Sequence, residues 1–253
     1  MYSDSRIVSP CSSAHQCPSG RCKLRKQRSA RRPGLPRNAA GALTLTERAY
    51  RELEEQIVTL RLKPGEFLSE YALASSLRIG RTPIREALQR LGREGLVTIL
   101  PRKGILVAET DPRRQLLVLE VRRELERLLS RLGAQRASEE QRRRFREIAD
   151  HMDRAGKAND DLTFMRLDRE FNLLIAEAGQ NEYAARAMRF LQGHSRRFWY
   201  LHYKQAADLP LCARLHAAQA RAIAGGDAKA AAAAADRLID YTETFTRATV
   251  LGT

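Results

Sequence analysis

Apolar positions recur with helical spacing from residue 44 onward and show no period before it. Thr44-Leu45-Thr46-Glu47 fits a capping box, in which the threonine hydroxyl and the glutamate satisfy the first free amides of a helix. Tyr50, Leu53, Ile57 and Leu60 then follow at steps of 3, 4 and 3, one face of that helix, which Lys63-Pro64-Gly65 ends. Ser69 can cap a short second helix with Leu73 and Leu77 inward. Gly80 is expected to supply the left-handed residue of a tight turn. Thr82-Pro83 restarts a helix, with threonine as N-cap and proline first. Ile84, Leu88 and Leu91 face the core, and Gly95 closes the helix. Val97-Thr98-Ile99-Leu100 and Ile105-Leu106-Val107 are short β-branched runs, joined by Pro101-Arg102-Lys103-Gly104 as a hairpin turn.

Beyond Asp111-Pro112 the pattern is helical throughout. Val118, Val121, Leu125, Leu128 and Leu132 share a face. Ser138-Glu139-Glu140-Gln141 is a second capping box, leading to Phe145, Ile148 and Met152. Asp160 or Asp161 opens a helix carrying Met165, Phe171 and Leu174 that stops at Gly179. Asn181 caps a long one containing Phe190, Phe198 and Trp199. Asp208 starts another, ended by Gly225-Gly226, and Asp227 caps an Ala-rich helix reaching about Thr246. Six helices with short loops predict an antiparallel bundle. The fold class expected is therefore mainly α: an N-terminal winged helix-turn-helix, then an antiparallel all-α bundle. The boundaries are a disordered basic tail at 1–42, a winged unit at 43–110 with its helix-turn-helix at about 70–89, and a helical domain at 111–250.

The winged unit carries the chemistry of DNA recognition. A helix fits the major groove of B-DNA, and its first turn reaches base edges. Arg81, Thr82, Arg85 and Gln89 occupy the face opposite Ile84, Leu88 and Leu91. An arginine there can donate two hydrogen bonds to guanine, worth about 1–3 kcal/mol of discrimination. Arg102 and Lys103 at the hairpin tip suit phosphates or a minor groove. Any one such arginine is ordinarily just a solvated charge. The joint pattern of capped turn, basic outer face, apolar inner face and basic hairpin is what argues for DNA.

Charge refines this picture. The 253 residues hold 45 Lys/Arg against 30 Asp/Glu, but residues 1–42 alone hold nine of the basic residues and one acid. That segment would attract any polyanion, so the global charge says little. The stretch from Arg78 to Lys103, with seven basic and two acidic residues, says more. Cys11, Cys17, Cys22 and Cys212 form no disulfide framework, which suits a reducing, cytoplasmic compartment. Cys11, His15, Cys17 and Cys22 lack a C-x-x-C pair, so a disordered extension is the reading preferred to zinc. A signal peptide and a membrane partner are not expected, since no long apolar run occurs.

The run Leu68-Ser69-Glu70-Tyr71-Ala72-Leu73-Ala74, then Gly80-Arg81-Thr82-Pro83-Ile84-Arg85-Glu86-Ala87-Leu88-Gln89-Arg90-Leu91 and Glu94-Gly95-Leu96-Val97, resembles the GntR family of bacterial transcription regulators. The resemblance implies DNA contacts from Arg81, Thr82 and Arg85, with Lys103 and Gly104 in the wing. Ser69 and Tyr71 complete the candidate set, Tyr71 standing where the family often has arginine. The helical remainder resembles the FCD ligand-binding domain of the FadR subfamily, through Arg122 with Leu125-Glu126, Asp168 with Phe171, Asn181, and His216 with Gly226-Asp227. Many such domains bind a divalent metal through an Asp, a His four residues later and two further His. Asp168 and His216 match two of these positions, whereas Asn172 and Leu238 occupy the others. Asparagine is a weak donor and leucine none, so no cofactor is expected, and Asp168 with His216 is an incomplete metal pair. The bundle centre is still the best candidate pocket, with Arg122, Asp168, Asn172, Arg196 and His216 as effector-binding candidates; Asp168 is expected to pair with a cation such as Arg122. A second cluster, His194, Arg196, Arg197, Trp199, Tyr200, His202 and Tyr203, is a mixture of lining and core.

These observations and the resemblance together imply a ligand-responsive regulator. Its expected partners are a double-stranded DNA operator with inverted-repeat symmetry, a second copy of the chain, and a small effector, best guessed as a carboxylate. Repression rather than activation follows from the resemblance. The alternatives are a sequence-indifferent DNA-coating protein, for which the basic tail argues, and an enzyme. No P-loop, G-x-S-x-G elbow or dinucleotide fingerprint supports the latter.

Overall fold

The computed structural model describes residues 43–206 and 208–251. The expected disordered tail and its cysteines lie outside the described residues. Helix α1 (Leu45–Val58) begins where Thr44 accepts a hydrogen bond from the Glu47 amide, and it buries Tyr50, Leu53 and Ile57 as the spacing requires. It stops short of the last position of the apolar period. Leu60 sits in a left-handed turn, and Leu62 takes its place against the core. The short strand β1 (Phe67–Leu68) follows. Helix α2 (Glu70–Leu77) is capped by Ser69, and α3 spans Arg81–Arg93. Strands β2 (Val97–Leu100) and β3 (Gly104–Val107) pair antiparallel, with Val97 opposite Val107 and Leu100 opposite Gly104.

Two expectations are corrected here. The wing is a three-stranded sheet in the order β1-β3-β2 rather than a bare hairpin, because Phe67 and Leu68 add themselves to the free edge of β3. The left-handed residue of the turn is Arg78 (φ 53°), while Gly80 is extended and serves as the N-cap of α3. The helix thus opens at Arg81 with no side-chain cap, and Thr82 lies inside its first turn with its hydroxyl unspent on capping. Pro83 costs nothing there, since the first four amides of a helix have no partner within it.

Helices α4 (Pro112–Arg136), α5 (Glu139–Lys157), α6 (Asp161–Ala178), α7 (Glu182–Ala206), α8 (Leu209–Gly225) and α9 (Ala228–Leu251) form the bundle. Each of α4, α5, α6 and α8 starts at the expected cap, and the Ser138–Gln141 box is reciprocal. Phe145, Ile148, Met152, Phe164 and Phe171 fill the centre, with Phe145 and Phe171 edge to face at 6.0 Å. Burying each such side chain stabilises by about 1.5–3 kcal/mol. Helix α4 departs from expectation. Its buried face is Gln115, Leu119, Arg122, Glu126 and Leu129, while Val121 is more than half exposed. The apolar stripe lies about one residue out of phase with the buried one, because the inward side of α4 borders a polar centre.

A second core belongs to the winged unit: Leu53 and Ile57 of α1 against Ile84, Leu88 and Leu91 of α3 and Val107 of β3. Val58, at the end of α1, joins the bundle's core instead. The winged unit therefore packs directly onto the bundle.

Candidate functional site

The outer side of α3 is the first candidate surface. Ile84, Ala87, Leu88 and Leu91 are buried, which rotates Arg81, Thr82, Arg85 and Gln89 into solvent. More than half of the side-chain area of Arg81 and of Arg85 is exposed. Ser69, Arg85, Gln89, Arg102 and Gly104 border one open groove between α3 and the wing. Arg81 and Thr82, in the first turn of α3, and Lys103, at the wing tip, are exposed but do not border it. Tyr71 is 75% exposed, and the Ser69 hydroxyl accepts from the Ala72 amide at 3.4 Å. Arg102 is left-handed (φ 62°), as is Gly104 (φ 112°), so the tip turns tightly enough to present Arg102 and Lys103 outward.

Sequence reasoning missed Glu70 in this surface. Its carboxylate takes Arg85 Nη2 at 2.8 Å and Nε at 3.0 Å, and Arg81 Nη2 lies 4.0 Å away. The Arg85 hydrogen bond pulls the Glu70 pKa down. So exposed a pair is screened by water and contributes little to folding; its effect is on the aim of Arg85. Glu70 carries no periodic signal, and only its place beside the Ser69 cap could have marked it.

The second candidate is a narrow cavity in the bundle centre, with about 30 Å³ open to a water-sized molecule. Arg122, Asp168, Arg196 and His216 line it. Phe164, Met165, Ser195, Trp199, Cys212, Leu238 and Thr242 line it too, and of these the sequence points only to Trp199 and Leu238 as site positions. Asn172 lies behind the wall, its Nδ2 donating to Asp168 Oδ1 at 2.9 Å and to the Asp168 carbonyl at 2.8 Å.

Asp168 is the electrostatic centre. His216 Nε2 is 3.2 Å from Oδ1, and Arg196 Nε is 2.8 Å from Oδ2, an ion pair lying off the line of the N–H bond. Burial alone would raise the Asp168 pKa. The His216 hydrogen bond and the charges of His216, Arg196 and Arg122 outweigh it and hold the value at about 2. Burial likewise opposes charge on His216, but its contacts with Cys212 and Asp168 raise its pKa well above normal. Both ring nitrogens then donate, Nδ1 to the Cys212 carbonyl at 2.9 Å and Nε2 to Asp168. The partner expected for Asp168 is corrected: its guanidinium is Arg196. Arg122 instead pairs through Nε with Glu126 at 3.0 Å, leaving its two Nη groups without a hydrogen-bond partner among the described residues. The buried Trp199 Nε1, with the Tyr241 hydroxyl as a neighbour, makes no well-formed hydrogen bond among them either. The cavity thus offers hydrogen-bond donors against an apolar wall.

These residues do not fit a divalent metal. Asp168 and His216 hydrogen-bond to each other, Asn172 turns an amide toward Asp168, and Leu238 has no donor atom. Among the described residues, no three His, Cys, Asp or Glu come together as ligands.

His194 and Arg197 of the second cluster face the winged unit. His194 Nε2 is 2.9 Å from the Glu94 carbonyl at the end of α3. The fully buried Arg197 donates to the Ala108 and Glu109 carbonyls at 2.7 and 3.0 Å, in the segment joining the two domains. Tyr203 stacks on Trp199 with centroids 4.6 Å apart.

Comparison with known proteins agrees with this division. Residues 45–107 match the model described as bacterial regulatory proteins, gntR family, and residues 117–241 match the FCD domain. The Nta operon transcriptional regulator of Aminobacter aminovorans is 32% identical over 132 residues, 52% of this chain and 62% of that protein. The HTH-type transcriptional repressor RspR of Escherichia coli is 25% identical over 175 residues, 68% of this chain and 75% of that protein. The first curated relatives are matched over less than two thirds of their own length. The solved structure of E. coli McbR/YncC shares the fold with a TM-score of 0.71 at 19% identity, covering 83% of this chain and all of that one. With the gntR model on its winged unit and the FCD model on its bundle, the chain belongs to the GntR family of bacterial regulatory proteins.

Proposed function

We propose that this chain is a cytoplasmic, ligand-responsive transcription regulator that reads an operator through α3 and the wing and senses a small carboxylate in the bundle cavity. The observation that carries the DNA half is the exposed face of Arg81, Thr82 and Arg85, turned outward by the burial of Ile84, Leu88 and Leu91. The amino end of α3 adds its free amides and partial positive charge toward a phosphate. The relatives named as regulators and repressors support the same reading, and repression is the sign we propose.

A carboxylate suits the cavity because the two free Nη groups of Arg122 can take its oxygens side by side. Phe164, Met165, Trp199 and Leu238 favour an apolar body on the acid. No metal or other cofactor takes part. Two copies act together on an inverted repeat. Leu117 and Val121 are exposed on α4, although the sequence pattern places Val121 in a core, and they supply an apolar face for the second copy.

The test is selection of bound duplexes from genomic fragments by the full chain, followed by footprinting. A palindromic site is expected, with Arg81→Ala and Arg85→Ala each losing about ten- to a hundredfold in specific affinity. Removing residues 1–42 should spare that site; loss of all DNA binding on removal would instead mark a coating protein. A thermal-shift screen of organic acids tests the cavity, since a ligand of the folded state raises its apparent stability.

A further inference from the structure

Arg196 occupies a singular place: it belongs to both domains. On one side its Nε faces Asp168 in the cavity, 2.8 Å from Oδ2. On the other, Nη1 donates to Glu54 of α1, a helix of the winged unit. Nη2 donates to the Met165 carbonyl at 2.7 Å, which fixes the plane of the group between its two acids. All three residues are nearly inaccessible to water, at 6% (Arg196), 4% (Glu54) and 4% (Asp168). Burial opposes charge on Arg196, and the two carboxylates outweigh it and raise its pKa.

We infer that Arg196 is the positioning residue through which charge in the cavity sets the grip of the bundle on the DNA-binding unit. One guanidinium cannot satisfy an unlimited number of anions. In a low-dielectric interior, charge added on its cavity side weakens its hold on Glu54, and charge removed there strengthens it. An anionic effector beside Arg122 would thus draw Arg196 inward and loosen α1. A ligand can bias two arrangements only if it binds them differently, and the shared guanidinium supplies that difference. Glu54 keeps a second tie, to Arg169 at 2.9 Å, so α1 is loosened rather than released. Because α1 packs on α3 through Leu53 and Ile57, its freedom changes the placement of the recognition helix.

This inference rests on the bundle cavity being the sensing site; its test uses no effector, so a failure of the one is told apart from a failure of the other. The readout is hydrogen exchange of α1 amides in the full-length chain, compared with α5 to remove any global change in stability. Asp168→Asn takes negative charge from the cavity side, and α1 exchange should slow by about threefold relative to α5. In the Arg196→Met background, where Glu54 retains Arg169 and Asp168 retains His216, the same substitution should leave α1 unchanged. The Glu54→Gln background should abolish the effect likewise, giving a second route if one pair of changes prevents folding. Asp168→Ser serves where Asp168→Asn does not fold. A purely structural arginine predicts no slowing in Asp168→Asn. Absence of slowing, faster exchange, or slowing that persists without the Arg196 charge overturns the inference.

Discussion

The closeness of the two domains can be tested with a single methyl group. Gly193 lies on α7 where that helix meets the winged unit. A Cβ built there would sit 2.7 Å from Leu96 Cδ1 and 3.1 Å from Cδ2. Leu96 is 1% exposed and belongs to the core of the winged unit, so it has no free space to retreat into. Overpacking of this kind costs about 1–3 kcal/mol. Replacing a helical glycine by alanine returns about 1 kcal/mol through helix propensity. Gly193→Ala should therefore destabilise by a net of about 1 kcal/mol, the remainder after the second term is subtracted from the first. Gly225→Ala is the control: it ends α8, and a Cβ there meets nothing within 4 Å. That variant should gain up to about 1 kcal/mol. Urea titration of the two variants and the parent reads the difference. Leu96→Ala closes the cycle. Alone it should cost about 2–5 kcal/mol, and in the Gly193→Ala background about 1 kcal/mol less, because the new methyl group fills part of the space. If Gly193→Ala proves as stable as Gly225→Ala, with Leu96→Ala additive to it, then α7 does not press on the winged unit as described.

Glu70→Gln should free Arg85 to wander, lowering discrimination between the selected operator and a scrambled duplex by about tenfold while raising affinity for the scrambled one; an unchanged ratio in a salt series refutes the aiming role. Burial, with the Arg197 charge, lowers the His194 pKa against the pull of the Glu94 carbonyl. The unfolded chain then takes up the proton first, so the contribution of His194 is present above about pH 6.5 and is lost as the pH falls below it. The denaturation midpoint should fall less between pH 7 and pH 5 in His194→Gln than in the parent, and an equal fall would discount this group. Arg122→Met should weaken any organic acid found in the screen by at least about tenfold, as expected for a charge-assisted pair; calorimetry showing unchanged affinity would move the ligand elsewhere. With Cys11, Cys17 and Cys22 replaced by serine, isothermal titration with zinc should show no stoichiometric binding, whereas adding Asn172→His and Leu238→His should create it; a bound equivalent of zinc without those two histidines would refute the reading of those positions.

Periodicity and capping residues made most helices legible, because an N-cap and a buried stripe are local properties of the chain. Helix α4 shows the limit. Its spacing is helical as expected, Leu125 and Leu128 do pack on the core and Leu132 is buried, yet hydrophobicity alone misplaces Val121 and misses the buried Arg122 and Glu126. Arg122 and Glu126 are buried as an ion pair, an arrangement that a hydrophobic count places outside. Strand β1 escaped for a different reason: two residues carry no period, and Phe67 and Leu68 become a strand only because β3 offers an edge. In the recognition helix, Pro83 drew the predicted start two residues too late, since proline is tolerated anywhere in the first turn.

The same distinction separates the parts of the site. Asp168 and His216 could be singled out through the resemblance to FCD domains, and Arg196 through its place in a run of polar and aromatic residues. Glu54 could not, since it stands among Glu52 and Glu55 on a charged helix and resembles a solvated residue. What buries it is an arginine 142 positions away in the chain. The same helix that brings this arginine also brings Ser195 and Trp199 to the cavity, His194 to the end of α3, and Arg197 to the interdomain segment. Successive residues of α7 point to different sides, so one short stretch of helix borders the cavity and ties the winged unit to the bundle. A change in the cavity wall need not travel along a path of contacts to reach that unit. The wall and the clasp belong to one stretch of α7, and what differs between arrangements is which carboxylate Arg196 favours.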